Sequence, residues 1–148
     1  MTPSEVVQKM VDAWNTGDRA AFMGVASPDI RQDEGQDSER GGESSWAADW
    51  DTLHTAFPDG RLEIRTSIEA GDRLAVEVTF SGTHSGPGLS FPELGAPDLQ
   101  PTGKTVNVLC AAFYRVDGDL ILLENIYGFV PPLLMQLDVK AGVETAAP

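Results

Sequence analysis

A single cysteine, Cys110, leaves this chain no means of forming an internal disulfide, and a reducing compartment is expected. Histidine is almost as scarce. His54 and His84 stand alone, with no His/Asp/Glu group at ligand spacing, so neither a metal nor a cofactor is expected. Positive charge is short as well: Lys+Arg number 10 against 23 Asp+Glu, giving a formal net charge of −13 and a pI near 4.3. Such a surface repels phosphates, which excludes nucleic acid and anionic membranes as expected partners. No apolar run approaches the roughly 18 residues of a spanning helix. The opening Met1-Thr2-Pro3-Ser4-Glu5 carries no basic-then-apolar leader, and a cytoplasmic location is expected. A glycine-rich phosphate loop is lacking too, since Gly86-Pro87-Gly88 follows a strand pattern but precedes no helix.

What the chain does contain is ordinary globular material. Its 148 residues are 41% hydrophobic, which fits one domain spanning 1–148 with a real core. Val7, Met10, Val11 and Trp14 fall on one helical face behind a plausible N-cap at Ser4, and Asn15-Thr16-Gly17 ends that helix. A short second helix starts near Asp18, buries Phe22 and Met23, and stops at Ser27-Pro28-Asp29. Residues 32–45 carry almost nothing apolar and read as a mobile loop. A third helix then runs from about Ser45 to Phe57, with Trp46, Trp50, Leu53 and Phe57 on one face and His54 beside it.

Strands follow. Residues 61–69 alternate and turn at Ala70-Gly71-Asp72, after which Leu74, Val76, Val78 and Phe80 form the apolar side of a second strand. A strand over 105–115, a tight turn at Val116-Asp117-Gly118-Asp119, and a strand over 120–127 complete the meander. A short helix over 131–137 closes it, and the tail 138–148 reads as frayed. Helices first and strands afterwards argue for an α+β domain rather than alternating βαβ units. The connection 85–102 is long, and its Leu89, Phe91, Leu94 and Leu99 suit either a lid or a disordered hairpin tip.

Several phrases stand in a telling order: Ala56-Phe57-Pro58-Asp59, Gly82-Thr83-His84-Ser85-Gly86, Pro101-Thr102-Gly103-Lys104, Asp117-Gly118 and Leu133-Leu134-Met135-Gln136-Leu137. This order, from about Glu5 to Leu137, resembles the SnoaL-like polyketide cyclases, a branch of the nuclear transport factor two-like cone folds. The resemblance implies N-terminal helices packed on a strongly curved antiparallel sheet that forms a cone-shaped α+β barrel, usually as a homodimer. It also implies an apolar chamber for a hydrophobic polyketide. The family's acid/base pair would fall near Ala111 and at Gly128, Phe129 or Val130, none of which moves a proton, so the inherited pair is not carried over.

Other residues must then do the work. Glu124 interrupts the apolar run Leu120-Ile121-Leu122-Leu123, and a carboxylate placed there is desolvated and raised toward the useful range of a general acid. Asn125 and Tyr127 carry donors and complete the catalytic candidates. The expected chamber lining is Trp14, Trp46, Trp50, His54, Phe57, Asn107, Leu109, Ala111, Phe113 and Phe129, with His84 structural or at the rim. The leading expectation is a cofactor-free cyclase that folds its substrate into one reactive conformer for a pericyclic, [4+2]-type closure. The alternatives are an aldol-type cyclase or isomerase using Glu124, and a non-catalytic binding module.

Overall fold

The structure, a computed structural model, describes residues 1–139. Two helices open the chain: α1 (Pro3–Thr16) and α2 (Arg19–Gly24). The first is capped by Thr2 rather than the expected Ser4. The Thr2 hydroxyl accepts the Glu5 N–H while Glu5 reaches back to the Thr2 N–H, a reciprocal capping box two residues ahead of the expected cap. Val6, Val7, Met10, Val11 and Trp14 of α1 are buried as their spacing predicts.

The chain continues through β1 (Ala26–Gln32), β2 (Arg40–Gly41) and α3 (Glu43–Ala56), then β3 (Arg61–Ala70), β4 (Arg73–Thr83), β5 (Leu89–Phe91), β6 (Ala96–Leu99), β7 (Thr105–Asp117), β8 (Leu120–Tyr127) and α4 (Val130–Gln136). Six strands form one strongly curved sheet in the order β2-β1-β8-β7-β4-β3, with the helices packed against its inner face. The result is the expected α+β cone. One feature differs: the sheet is mixed, because β1 pairs in parallel with β8. Nothing local in Ala26-Ser27-Pro28-Asp29 announces that pairing, which only a distant strand supplies.

The segment 32–45, read from the sequence as a mobile loop, carries the short strand β2 and the start of α3 and meets the parallel pair at its beginning. Gln32 ends β1 fully buried, and Asp33 turns the chain at φ 54, a left-handed conformation that aspartate tolerates better than most residues. Asp33 N–H donates to the Glu124 carbonyl, and the Asp33 carboxylate accepts the Ile126 N–H at 3.0 Å. Asn125 latches the following turn by accepting the Glu34 N–H at 2.9 Å. The polar residues of this segment stay ordered through hydrogen bonds to the sheet edge, where apolar burial would otherwise be needed.

The connection 85–102 carries secondary structure of its own. It folds as the β5–β6 hairpin around a 3-10 turn (Pro92–Leu94), with Leu89 and Ala96 buried. Its root is fastened to the end of α3, where the N–H groups of Ser85 and Gly86 both donate to the Ala56 carbonyl. That approach requires glycine at 86, since a Cβ there would stand 1.8 Å from the Thr55 carbonyl oxygen. The fraying expected over 138–148 falls, from residue 140 onward, outside the described residues. The most direct check of this clamp is Gly86→Ala, for which chemical denaturation should show a loss of about 1–3 kcal/mol, the usual cost of overpacking.

A buried carboxyl network at the inner face of the sheet

Alternation along β7 decides which side chains enter the cone. Val106, Val108, Cys110, Ala112, Tyr114 and Val116 point inward and are buried. The opposite parity carries Asn107, Leu109, Ala111 and Phe113 to the outer face, where Leu109 is 56% and Phe113 52% exposed. These four residues were expected to line the chamber and do not. Both faces of β7 are apolar, so the sequence pattern left the choice of face open, and a one-residue shift in parity moves every side chain.

On β8 a bulge resets the alternation. Val116 pairs with Ile121 but Arg115 pairs with Leu123, so one extra residue is accommodated between them. Ile121 and Glu124, three apart, therefore both face inward, while Asn125 and Tyr127 share the outer side with Phe113. Tyr127 packs edge-on against Phe113 at 5.8 Å and is 43% exposed. Of the three catalytic candidates read from the sequence, only Glu124 reaches the interior.

Glu124 is buried and fully engaged. Its Oε2 accepts the Tyr114 hydroxyl at 2.9 Å, and its Oε1 accepts Gln32 Nε2 at 2.9 Å. The same Gln32 nitrogen donates to Asp49 Oδ2 at 2.8 Å, and the Gln32 carbonyl accepts the Ser45 hydroxyl at 2.6 Å. Asp49 in turn pairs with Arg40 at 2.5 Å, and Arg40 also reaches Asp33 at 3.4 Å. Two carboxylates from β8 and α3 thus flank one amide from β1, with a guanidinium from β2 at the outer end. The side chains of Arg40 and Asp49 are 36% and 27% exposed, so the network runs from solvent to the buried acid.

The electrostatics follow from this arrangement. Burial first, and the charge of Asp49 second, raise Glu124 from 4.5 to about 7, against the opposing pull of the Gln32 and Tyr114 hydrogen bonds and of Arg40. Burial, then the neighbouring Glu124 carboxylate, hold the Tyr114 phenol well above its usual range, so Tyr114 stays a neutral donor. The same two causes push the Cys110 thiol up to about 11. Glu124 is therefore poised to give or take a proton near neutrality, beside a fixed hydroxyl donor.

The rest of the interior is aromatic and closed. Trp46 stacks on Phe22 at 4.4 Å and donates from its Nε1 to the Phe22 carbonyl. His54 lies on Trp50 at 3.7 Å and against Trp14 at 4.1 Å, with its ring nitrogens beside the Trp50 and Trp14 carbonyls. Phe80 meets Trp14, Phe57 and Phe129 edge-on. Trp14, Trp46, Trp50, His54, Phe57 and Phe129 are thus brought together in the interior, packed against one another and against Phe22 and Phe80. Two depressions mark the surface, one along α1 and one on the outer face by Asn107 and Leu109, and neither includes Glu124. Sequence reasoning missed Gln32, Arg40, Ser45, Asp49 and Tyr114. Only the inward parity of Tyr114, shared with Cys110 and Ala112, was there to find.

A cone of helices on a curved mixed sheet, with an acidic group deep on its inner face, defines the class. The sequence profile of the SnoaL-like polyketide cyclase family matches residues 4–127, and the chain belongs to that family. Among solved structures it is similar to a candidate polyketide cyclase from Pseudomonas putida (27% identity, 92% of this chain and 98% of that one, TM-score 0.73). It is also similar to AclR, a candidate hydroxylase from Streptomyces galilaeus (26% identity, 92% and 84%, TM-score 0.74). IdmH, a candidate polyketide cyclase from Streptomyces antibioticus, shares the fold at 24% identity, over 94% and 100%, with TM-score 0.71. A search of curated proteins gives no match. No helix among the described residues is long and apolar enough to cross a membrane.

The raised carboxyl has a measurable signature. A folded value near 7 against 4.5 in the free side chain means that the folded chain holds the extra proton. Its contribution to stability is full below about 4.5 and is lost as pH rises through about 7. Thermal unfolding followed from pH 5 to pH 8 should show that decline in the parent, and Glu124→Gln, which cannot ionise, should flatten it.

Proposed function

We propose that this protein is a cyclase that closes a ring in a largely hydrophobic, oxygenated linear substrate by acid/base chemistry centred on Glu124. The observation that carries the reading is the placement of a buried carboxyl, near neutral in its proton affinity, within 2.9 Å of the Tyr114 hydroxyl. In the ionised form Glu124 takes a proton from the activated carbon of the substrate. As Glu124 becomes protonated, the Tyr114 hydroxyl turns its one proton from Glu124 Oε2 to the enolate oxygen that develops. The enolate carbon attacks the second carbonyl, and the proton held on Glu124 passes to the new alkoxide, so the ring forms with no net change in composition. Such a pair supplies roughly a hundredfold to ten-thousandfold over an unassisted closure, and the steps draw on no cofactor.

Family membership and the aromatic interior support a cyclase in general terms. The pericyclic reading, in which the walls alone fold the substrate, asks for a mould that exists before the guest arrives. A mould of that kind leaves the burial of Glu124 without a purpose. A pure binding module leaves it equally idle. For a guest to reach Glu124, the Gln32 amide at its Oε1 has to give way, and the Ser45 and Asp49 contacts hold that amide in waiting.

The test uses a linear diketone whose ends close to a six-membered ring, followed by chromatography. With the parent chain, kcat/KM should rise with pH through an inflection near 7 and then level off. Glu124→Gln should lower it by about a hundredfold or more and Tyr114→Phe by about a hundredfold. A Glu124→Gln variant that closes the ring at the parental rate would return the pericyclic reading to first place.

A further inference from the structure

Two donors sit in the aromatic interior without a protein partner. Among the described residues Trp14 Nε1 and His84 Nε2 are buried and have no hydrogen-bond partner within reach, with Trp14 5% and His84 0% exposed. Leaving a buried donor unpaired costs about 1–3 kcal/mol, and such groups are few in folded proteins. Here two fall in one aromatic cluster.

Their chemistry is the same. An indole nitrogen is a donor only. The other His84 nitrogen, Nδ1, accepts the Thr102 N–H at 3.2 Å, which assigns the ring proton to Nε2. Burial lowers the basicity of His84, so the ring stays neutral and presents a single N–H. The two donors flank one aromatic row: Trp14 meets Phe80 at 6.5 Å, Phe80 meets Phe57 at 5.2 Å, and Phe57 meets His84 at 5.3 Å. Phe129, just ahead of α4, closes on Phe80 from another side at 5.7 Å. An apolar row with an unpaired donor at each end suits a guest that is flat and apolar and carries acceptor oxygens. A polyol or an amine would bring donors to meet donors.

We infer that Trp14 Nε1–H and His84 Nε2–H are guest-binding donors that read ketone or ether oxygens on an aromatic or polyenyl guest seated along Phe80. The inference rests on the reading that the cone interior admits a guest, and it names what that guest must carry. It also gives His84, expected to be structural, a binding role at its Nε2 while its Nδ1 anchors Thr102.

Acetylnaphthalene and isopropenylnaphthalene share a shape and differ in the acceptor oxygen, so calorimetric titration of the full chain with each isolates the hydrogen bond. The ketone should bind the parent. Trp14→Phe and His84→Leu should each weaken ketone binding about tenfold and change hydrocarbon binding by less than about twofold, the span of one hydrogen bond. The Trp14 indole proton resonance, read in the unmodified protein, should move downfield with the ketone and stay in place with the hydrocarbon. Equal losses for both compounds, an indole resonance that ignores the ketone, or failure of both compounds to bind would each overturn the inference. A lost ketone preference with Glu124-dependent ring closure intact would sink this inference alone. A ketone preference that survives in Glu124→Gln, with no ring closure in any variant, would sink the acid/base reading alone.

Discussion

The constraint on which the rest depends is a carboxyl group that the fold has taken out of water. Glu124 lies on the inner face of β8 with a phenol on one oxygen and a carboxamide on the other, and each partner comes from a different strand. A buried carboxylate without partners is costly enough to unfold a domain of this size, so those contacts set what surrounding structure is permitted. The parallel pairing of β1 with β8, the left-handed turn at Asp33 and the ion pair between Arg40 and Asp49 all serve the same end. Remove the pairing of β1 with β8 and Gln32 leaves; without Gln32, nothing separates the Asp49 and Glu124 charges.

The interior around this group is tightly packed with aromatic rings. Trp14, Phe22, Trp46, Trp50, Phe57 and Phe80 supply most of the bulk inside the cone, and their edge-to-face contacts favour defined relative orientations over a loose apolar fill. Packing of that density resists partial adjustment, because protein interiors behave more like crystals than like oil. The β5–β6 hairpin is rooted on the end of α3, and Phe129, just ahead of α4, packs edge-on against Phe80.

Much of this was legible in the chain itself, and the gaps have physical causes. The faces of α1 and α3 and the strands over Leu74–Phe80 followed from spacing, because helix and strand periodicities are local properties, whereas the inward face of Glu124 was left open by the sequence and is set by the β8 bulge. The face of β7 was open too, since Val106 through Val116 and Leu109 with Phe113 are apolar on both parities and only the sheet's curvature chooses between them. Gln32, Arg40, Ser45 and Asp49 escaped notice for a different reason. Gln32 and Arg40 sit in a polar stretch that composition alone reads as solvated, Ser45 and Asp49 lie on the polar side of α3, and what gathers them is β1 meeting β8 some ninety residues away, as in the Gln32–Glu124 contact. Asn125 and Tyr127 were misplaced by the bulge opposite Arg115 and Val116, which shifts the side-chain alternation by one residue.

The lone thiol would report any opening of the cone. Cys110 is buried near Glu124, and a value of about 11 leaves almost none of it as thiolate at neutral pH. In the closed state the sulfur is therefore both shielded and unreactive toward alkylating reagents. Any labelling must pass through a conformation in which water reaches the centre of the sheet. The rate at which Cys110 is captured thus becomes a built-in clock for the rare openings through which a guest would have to travel.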